Sequence, residues 1–260
     1  MKRQRKTAAL VGWAVALLTV AAVGLAISLA PRGQAQEGSA NEQQPILQYP
    51  EFEPTPTIGA APAAPPSLSA APLYSTGFDS EADLAGWEFA ELEPVLPDSE
   101  SRWGVRDGRL AQLTTEPVGN PDSRPTIAVT GDASWQEVIV GANFYDLYNG
   151  TAGLVTHRNG DNYYRFFVIA DYYEDAPKLA LEKVVDGVVT QLAVADGPGH
   201  VDREWHSLYL SVIGGELSAS IDGQVVLQAT DAAPLGGGQA GVYTRAFGGI
   251  LFDDFAVSKP

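Results

Sequence analysis

The sequence contains no cysteine in its 260 residues. This absence excludes disulfide bonds, thiol catalysis and metal sites with cysteine ligands. A folded domain of about 150 residues or more buries enough of its surface to be stable without disulfide bonds. The lack of cysteine is therefore compatible with an exported protein.

Basic residues are scarce outside the N-terminus. Five of the 16 Lys and Arg side chains lie in the first 36 residues, which contain no acid. The rest of the chain carries 11 basic and 32 acidic side chains, a balance of −21. Because such a surface repels a phosphate backbone, the composition argues against nucleic-acid binding. Cations and neutral ligands such as sugars remain compatible with it.

One long apolar run occurs, at residues 7–30, directly after the basic residues 1–6. About 24 residues at about 1.5 Å each span a hydrocarbon core of about 30 Å, and the preceding positive charges keep the N-terminus cytoplasmic. We therefore predict a cytoplasmic stub at residues 1–6 and a transmembrane signal-anchor at residues 7–30. The alternative is a signal peptide cleaved near Gly33-Gln34-Ala35, although signal h-regions usually span only about 7–15 residues.

Residues 31–72 are rich in proline and alanine. Such sequence buries too little apolar area to fold, and its prolines favour extended polyproline II. We predict a disordered linker here, either a semi-rigid stalk that holds the following domain off the membrane or a passive tether.

Residues 73–260 show strand signals at short intervals, separated by turn residues. The clearest lie at residues 205–231, where apolar and small polar residues alternate around Gly214-Gly215 and Asp222-Gly223. Alternation with a period of two indicates strands with one buried face, and these two-residue links favour tight hairpins. Helical periodicity after residue 30 is limited to one short turn at residues 80–84. We therefore predict an all-β fold, a two-sheet antiparallel β-sandwich or jelly roll.

Nine short motifs rich in aromatic residues, glycine and aspartate are spread over residues 73–260: Gly77-Phe78-Asp79, Gly86-Trp87, Trp103-Gly104-Val105-Arg106-Asp107-Gly108-Arg109-Leu110, Gly153-Leu154-Val155, Asn162-Tyr163-Tyr164-Arg165-Phe166, Trp205-His206-Ser207-Leu208, Ile221-Asp222-Gly223, Gly241-Val242-Tyr243 and Phe252-Asp253-Asp254-Phe255. These motifs resemble those of concanavalin A-like jelly rolls, a superfamily that includes laminin G-like domains and the 3-keto-disaccharide hydrolase, family-16-glycosidase-like, domain. The resemblance covers residues 73–260 and implies the fold, but the superfamily mixes lectins, glycosidases and adhesion modules, so activity has to be argued from sites.

The sequence contains no recognisable catalytic constellation. Retaining glycosidases of this fold carry Glu-x-Asp-x-x-Glu on one strand, which holds two carboxylates about 5 Å apart, and the pattern is absent here. A Gly-x-Ser-x-Gly motif is also absent, and His157, His200 and His206 lack the spacing of zinc ligands. The sequence therefore favours a non-enzymatic function.

Aromatic residues are the candidates for ligand binding, because sugars stack on aromatic rings while nearby polar groups bond their hydroxyls. In the predicted strand at residues 163–169, alternation separates Tyr163 and Arg165 from Tyr164 and Phe166. Burying an unpaired arginine is costly, so we place the first pair on the concave face. The alternative is that these aromatics only pack the sandwich. The candidate ligand-binding residues are Tyr163, Arg165, His157, Tyr145, Tyr243 and Arg245.

Asp79, Asp253 and Asp254 are the candidate metal ligands. The resemblance implies that the first and last strands pair, which brings these acids together, and jelly rolls of this kind often hold a structural Ca²⁺ there. Calcium takes about 6–8 oxygen ligands, so backbone carbonyls have to contribute. The alternative is that Asp79 caps a turn while Asp253 or Asp254 points to solvent.

These features predict an extracytoplasmic, membrane-anchored module that binds a polysaccharide or surface glycan. Cleavage of the N-terminal segment instead predicts a secreted protein. Two other functions stay open: a 3-keto-disaccharide or glycoside hydrolase-like enzyme, and a structural or protein-binding surface module. The expected partners are the membrane, through the N-terminal helix, and a glycan ligand.

Overall fold

The computed structural model describes residues 58–59, 61, 72–95, 100–114, 124–174, 176–246 and 248–260. The membrane segment predicted at residues 7–30 and most of the linker predicted at residues 31–72 lie outside this part of the chain. Within it, no helix is long and apolar enough to span a bilayer.

The described residues form an all-β sandwich of two antiparallel sheets and one short 3₁₀ helix, Glu81–Leu84. The strands are β1 (Tyr74–Thr76), β2 (Glu88–Glu91), β3 (Arg102–Val105), β4 (Leu110–Thr114), β5 (Arg124–Thr130), β6 (Val138–Asp146), β7 (Thr151–Asn159), β8 (Asn162–Ile169), β9 (Leu179–Val185), β10 (Val188–Ala195), β11 (Trp205–Ile213), β12 (Glu216–Ile221), β13 (Gln224–Thr230), β14 (Gln239–Ala246) and β15 (Ile250–Ser258).

The two sheets differ in strand number and order. The eight-stranded sheet runs β13-β12-β11-β6-β15-β4-β3, with β1 also paired to β15. The seven-stranded sheet runs β10-β9-β8-β7-β14-β5-β2. The pairing of β1 with β15 joins Tyr74 to Val257 and Thr76 to Phe255. The first and last strands of the domain therefore lie side by side, as the resemblance implied.

The meander predicted at residues 205–231 forms one edge of the eight-stranded sheet. Strand β11 pairs with β12 through Ile213 and Glu216, around Gly214-Gly215, and β12 pairs with β13 across Asp222-Gly223. The four turn residues have φ values of 58°, 84°, 52° and 78°. This left-handed region suits glycine and is tolerated by aspartate. The turn chemistry thus produces the antiparallel meander, and that prediction is confirmed.

The main core lies between the sheets, and alternation decides which side chains reach it. In β8, Tyr164, Phe166 and Val168 belong to this core and have no exposed surface. Tyr163 and Phe167 belong to a smaller cluster on the other face of the same sheet. Burying a large apolar side chain contributes about 1.5–3 kcal/mol, so a one-residue slip of β8 is strongly disfavoured. The core therefore fixes which residues of β8 point outward.

Candidate functional site

Strand β8 presents Tyr163, Arg165 and Phe167 on the outer face of the seven-stranded sheet, away from the main core. Glu182 of β9 stands directly opposite Arg165 in the register of the two strands. Tyr243 of β14 lies on the other side of β7. We call these five residues the Arg165 cluster.

The guanidinium of Arg165 is held on three sides. Its Nε and Nη2 atoms lie 2.7 and 2.6 Å from Oε2 of Glu182. Its central carbon lies 5.5 Å from the ring centroid of Phe167 and 5.2 Å from that of Tyr243, within the range of cation–π attraction. Within the described residues, Nη1 donates no hydrogen bond. Arg165 is therefore fixed in orientation and keeps a donor for a ligand.

Gly153 of β7 makes room for the two rings that flank Arg165. It stands between Phe167 and Tyr243 in the register of the three strands. A Cβ atom at this position would lie 2.9 Å from Cβ of Phe167 and would also collide with the backbone of β8. Without that atom, the rings of Phe167 and Tyr243 approach to 5.7 Å between centroids. A glycine is therefore required for this part of the cluster.

Exposure differs within the cluster. Tyr163 and Tyr243 keep only 6% and 3% of their surface exposed, whereas Phe167 is partly exposed and the Arg165 side chain keeps 14% of its surface exposed. Burial raises the pKa of both tyrosine hydroxyls, that of Tyr243 to about 12, although the nearby guanidinium of Arg165 acts in the opposite direction. Both hydroxyls are therefore neutral at neutral pH. The surface that a ligand can reach belongs to Arg165 and Phe167.

The other predicted ligand-binding residues are distributed over the sandwich. Arg245 follows Tyr243 by two positions on β14, so it shares the outer face of the seven-stranded sheet, and it is exposed. Tyr145 lies on β6, in the eight-stranded sheet, and packs with Ala111 and Leu251. The structure therefore brings Arg245 near the Arg165 cluster and places Tyr145 on the opposite side of the molecule.

His157 does not join the Arg165 cluster. Its φ of 56° and a register shift between Thr156 and Asn159 interrupt the alternation of β7. Its ring is buried, with Nδ1 3.1 Å from Oγ1 of Thr156 and its centroid 5.6 Å from that of Tyr164. Burial lowers the pKa of His157, and a hydrogen bond to the backbone of Gln136 partly opposes this. The residue is neutral and packs toward the core.

The three candidate metal ligands lie near one another but make separate contacts. Asp79 and Asp254 line an open cleft of about 640 Å³. Asp254 accepts a hydrogen bond from Asn143 at 3.0 Å, whereas Asp253 lies 3.9 Å from Nε of Arg109. Burial raises the pKa of Asp253, and the carboxylates of Asp254 and Asp79 add to this. No group of three His, Cys, Asp or Glu side chains in the described ranges is arranged to hold a metal. Calcium stays a prediction.

Sequence reasoning missed Glu182 and gave no role to Phe167. Phe167 has the same parity as Tyr163 and Arg165 in β8, so alternation alone assigns it to their face. Glu182 is different, because its place beside Arg165 depends on the register between β8 and β9. An opposite charge on the next predicted strand is the only signal of that pairing.

The two antiparallel sheets form a concanavalin A-like sandwich. Residues 109–260 match the family described as the galactocerebrosidase C-terminal lectin domain. The match spans more than half of the chain, and the protein belongs to this family. No curated protein matches the chain in a sequence search.

Solved structures with the same fold come from several kinds of protein. Carbohydrate-binding module CBM66 from Bacillus subtilis is 14% identical, with a TM-score of 0.51 over 67% of this chain and 96% of its own. A Bacillus subtilis protein of unknown function with a galectin-like fold is 16% identical, with a TM-score of 0.51 over 73% and 96%. The β-glucanase of Bacillus licheniformis is 13% identical, with a TM-score of 0.51 over 72% and 97%. At these identities, the likeness establishes the fold alone.

Proposed function

We propose that this domain is a non-enzymatic carbohydrate-binding module, which contacts a polysaccharide or surface glycan through the Arg165 cluster. Membership of a lectin-domain family supports this class of ligand. The acidic composition of the chain also supports a neutral ligand over a phosphorylated or sulfated one, because like charges repel.

The proposal rests on Arg165 and Phe167, the two partly exposed aromatic and basic side chains of the cluster. The ring of Phe167 offers an apolar surface to the C–H face of a sugar, and Nη1 of Arg165 offers a charge-assisted hydrogen bond to a hydroxyl oxygen. Glu182 neutralises the guanidinium and holds it in place. A fixed donor beside an aromatic ring, without net charge, suits a neutral saccharide.

The distribution of carboxylates supports binding without hydrolysis. Strands β7, β8 and β14, at the centre of the seven-stranded sheet, contain no Asp or Glu. Glu182 of β9 is the carboxylate nearest to Arg165, and its Oε2 atom accepts both contacts from that side chain. Glycoside hydrolysis by the usual route requires a pair of carboxyl groups across the bond to be cleaved. The Arg165 cluster contains one carboxyl group, that of Glu182, and this group already forms an ion pair with Arg165.

The proposal places the module outside the cytoplasm, attached by a retained anchor at residues 7–30. Mass measurement of the protein purified from its host tests this directly. An intact N-terminus is the expected result, whereas a chain that begins after residue 35 identifies a cleaved signal peptide and a secreted module.

A polysaccharide panel tests the function. We expect the full-length protein to bind at least one neutral polysaccharide and to release no reducing sugar from it. Each incubation is repeated with a calcium chelator, because loss of binding or a lower melting temperature there identifies a calcium site. A blank panel under both conditions contradicts carbohydrate binding, and released sugar contradicts the non-enzymatic assignment.

A further inference from the structure

A second aromatic surface lies on the outer face of the eight-stranded sheet. Its floor is the buried cluster of Ala111, Tyr145 and Leu251. Trp205 packs against this floor, with its ring centroid 5.4 Å from that of Tyr145. The guanidinium carbon of Arg109 lies 5.5 Å from the centroid of the Trp205 ring. We call these five residues the Trp205 surface.

The chain itself covers the Trp205 surface. Ile58 packs against the apolar floor, and the carbonyl oxygen of Gly59 accepts hydrogen bonds from Nε1 of Trp205 at 3.0 Å and from Nη2 of Arg109 at 3.3 Å. These residues belong to the segment predicted as linker. A short piece of that linker is therefore an internal ligand of the folded domain.

Two N–H donors converge on one oxygen beside an aromatic floor, and this arrangement is not specific for a peptide carbonyl. A sugar hydroxyl or ring oxygen presents the same acceptor, and a sugar ring fits an apolar floor as an isoleucine side chain does. The Nε atom of Arg109 is buried and has no hydrogen-bond partner in the described part of the chain. The present occupant therefore leaves this buried donor unused.

We propose that the Trp205 surface is a second saccharide-binding site, which Ile58 and Gly59 occupy in competition with the ligand. The proposal rests on the proposed function for its ligand class. The internal ligand is small: one half-buried side chain and one carbonyl oxygen. A polysaccharide that binds the domain at more than one point displaces Ile58 and Gly59 by mass action.

The test uses full-length protein and the polysaccharide selected by the panel, as a soluble oligosaccharide, in calorimetric titrations. Ile58→Asp removes the apolar contact, and Ile58→Val is the matched control that keeps it. We expect Ile58→Asp to show an additional binding site per chain, or about tenfold tighter binding at that site, because the surface is no longer covered. Ile58→Val behaves as wild type. Adding Trp205→Ala to Ile58→Asp abolishes the gain.

The outcomes separate this inference from the proposed function. If wild type binds and Ile58→Asp matches it in both stoichiometry and affinity, the second site is contradicted while the first stands. If no variant binds any saccharide, both are contradicted. The indole N–H resonance of Trp205 provides a check without ligand. It shifts in Ile58→Asp but not in Ile58→Val if the segment docks as described, and an unchanged resonance contradicts the docking.

Discussion

The two outer faces of the sandwich use the same residue types in different ways. On the seven-stranded sheet, Arg165 is stacked against rings and lies 2.6 Å from a carboxylate oxygen of Glu182. On the eight-stranded sheet, Arg109 is stacked on Trp205, but its nearest atom lies 3.9 Å from Asp253, and it donates instead to backbone oxygens. The charge of Arg165 is neutralised by Glu182, a residue of the same sheet. The second arginine donates through Nη2 to Gly59, which comes from outside the sheet.

An arginine stacked on an aromatic ring can therefore have different roles on different faces of the same domain. Where the neighbouring strand supplies a carboxylate in register, the guanidinium becomes part of the scaffold and offers a single remaining donor. Where the carboxylate is at the limit of ion-pair distance, as for Arg109, the guanidinium donates to backbone oxygens instead. The difference lies in the cross-strand partner, not in the aromatic residues.

The largest expected effect is on stability, from Arg165→Met. The change leaves Glu182 almost fully buried without its partner, and removing one member of a buried ion pair costs about 3 kcal/mol or more. Urea denaturation should show this loss in the free energy of unfolding. The double variant Arg165→Met/Glu182→Gln should recover most of it, because no unpaired charge remains. A single variant as stable as wild type contradicts the scaffold role of Arg165.

A smaller effect is expected on the other face, from Arg109→Met. Its contact with Asp253 is long, and its buried Nε atom has no hydrogen-bond partner within the described residues, so truncation removes an unsatisfied donor as well as an attraction. The free energy of unfolding should fall by less than about 1 kcal/mol. The same denaturation measurement applies. If Arg109→Met lowers the free energy of unfolding as much as Arg165→Met does, the proposed difference between the two arginines is contradicted.

The smallest effect concerns one tyrosine on each outer face: Tyr243 on β14, and Tyr209, which has the same parity as Trp205 on β11. Burial raises the pKa of Tyr243 and of Tyr209 to about 12, and the carboxylate of Asp254 adds to the shift of Tyr209, whereas Arg165 opposes that of Tyr243. An unfolded tyrosine ionises near pH 10. Since both pKa values are raised in the folded state, their stabilising contribution is complete below pH 10 and is lost as the pH rises through about 12.

Two substitutions check this assignment. Asp254→Asn should lower the pKa of Tyr209 and leave that of Tyr243 unchanged, which ultraviolet titration of the phenols measures. Tyr243→Phe should flatten the decline in stability between pH 10 and 12. Equal shifts of both tyrosines in Asp254→Asn would mean that the two outer faces are not electrostatically separate.

Local sequence signals predicted much of the fold and part of the cluster. Turn residues with positive φ, such as Gly214 and Gly215, determine hairpins by themselves, so the meander was predictable. Alternation likewise placed Tyr163 and Arg165 on one face of β8. These signals arise between residues that are close together in the chain, so they can be seen in the sequence itself.

The features that were not predictable depend on contacts between distant segments. Strand β2 carries acids beside a proline-rich loop, and it exists because it pairs with the buried strand β5. The covering of the Trp205 surface joins Gly59 to Trp205, 146 residues apart. The position of His157 depends on a local backbone irregularity that alternation does not reveal. Each of these three features depends on a pairing register or a backbone shift, which the periodicity of the sequence does not determine.

Saccharide binding by the Arg165 cluster is tested by the affinity of the variant Phe167→Ala. The matched control is Phe89→Ala, since Phe89 is 43% exposed but lies on β2, outside the cluster. Calorimetry with the oligosaccharide selected by the panel compares both with wild type. We expect about tenfold weaker binding for Phe167→Ala, a change of about 1.4 kcal/mol, and wild-type affinity for Phe89→Ala. Unchanged affinity in Phe167→Ala would contradict saccharide binding by this cluster.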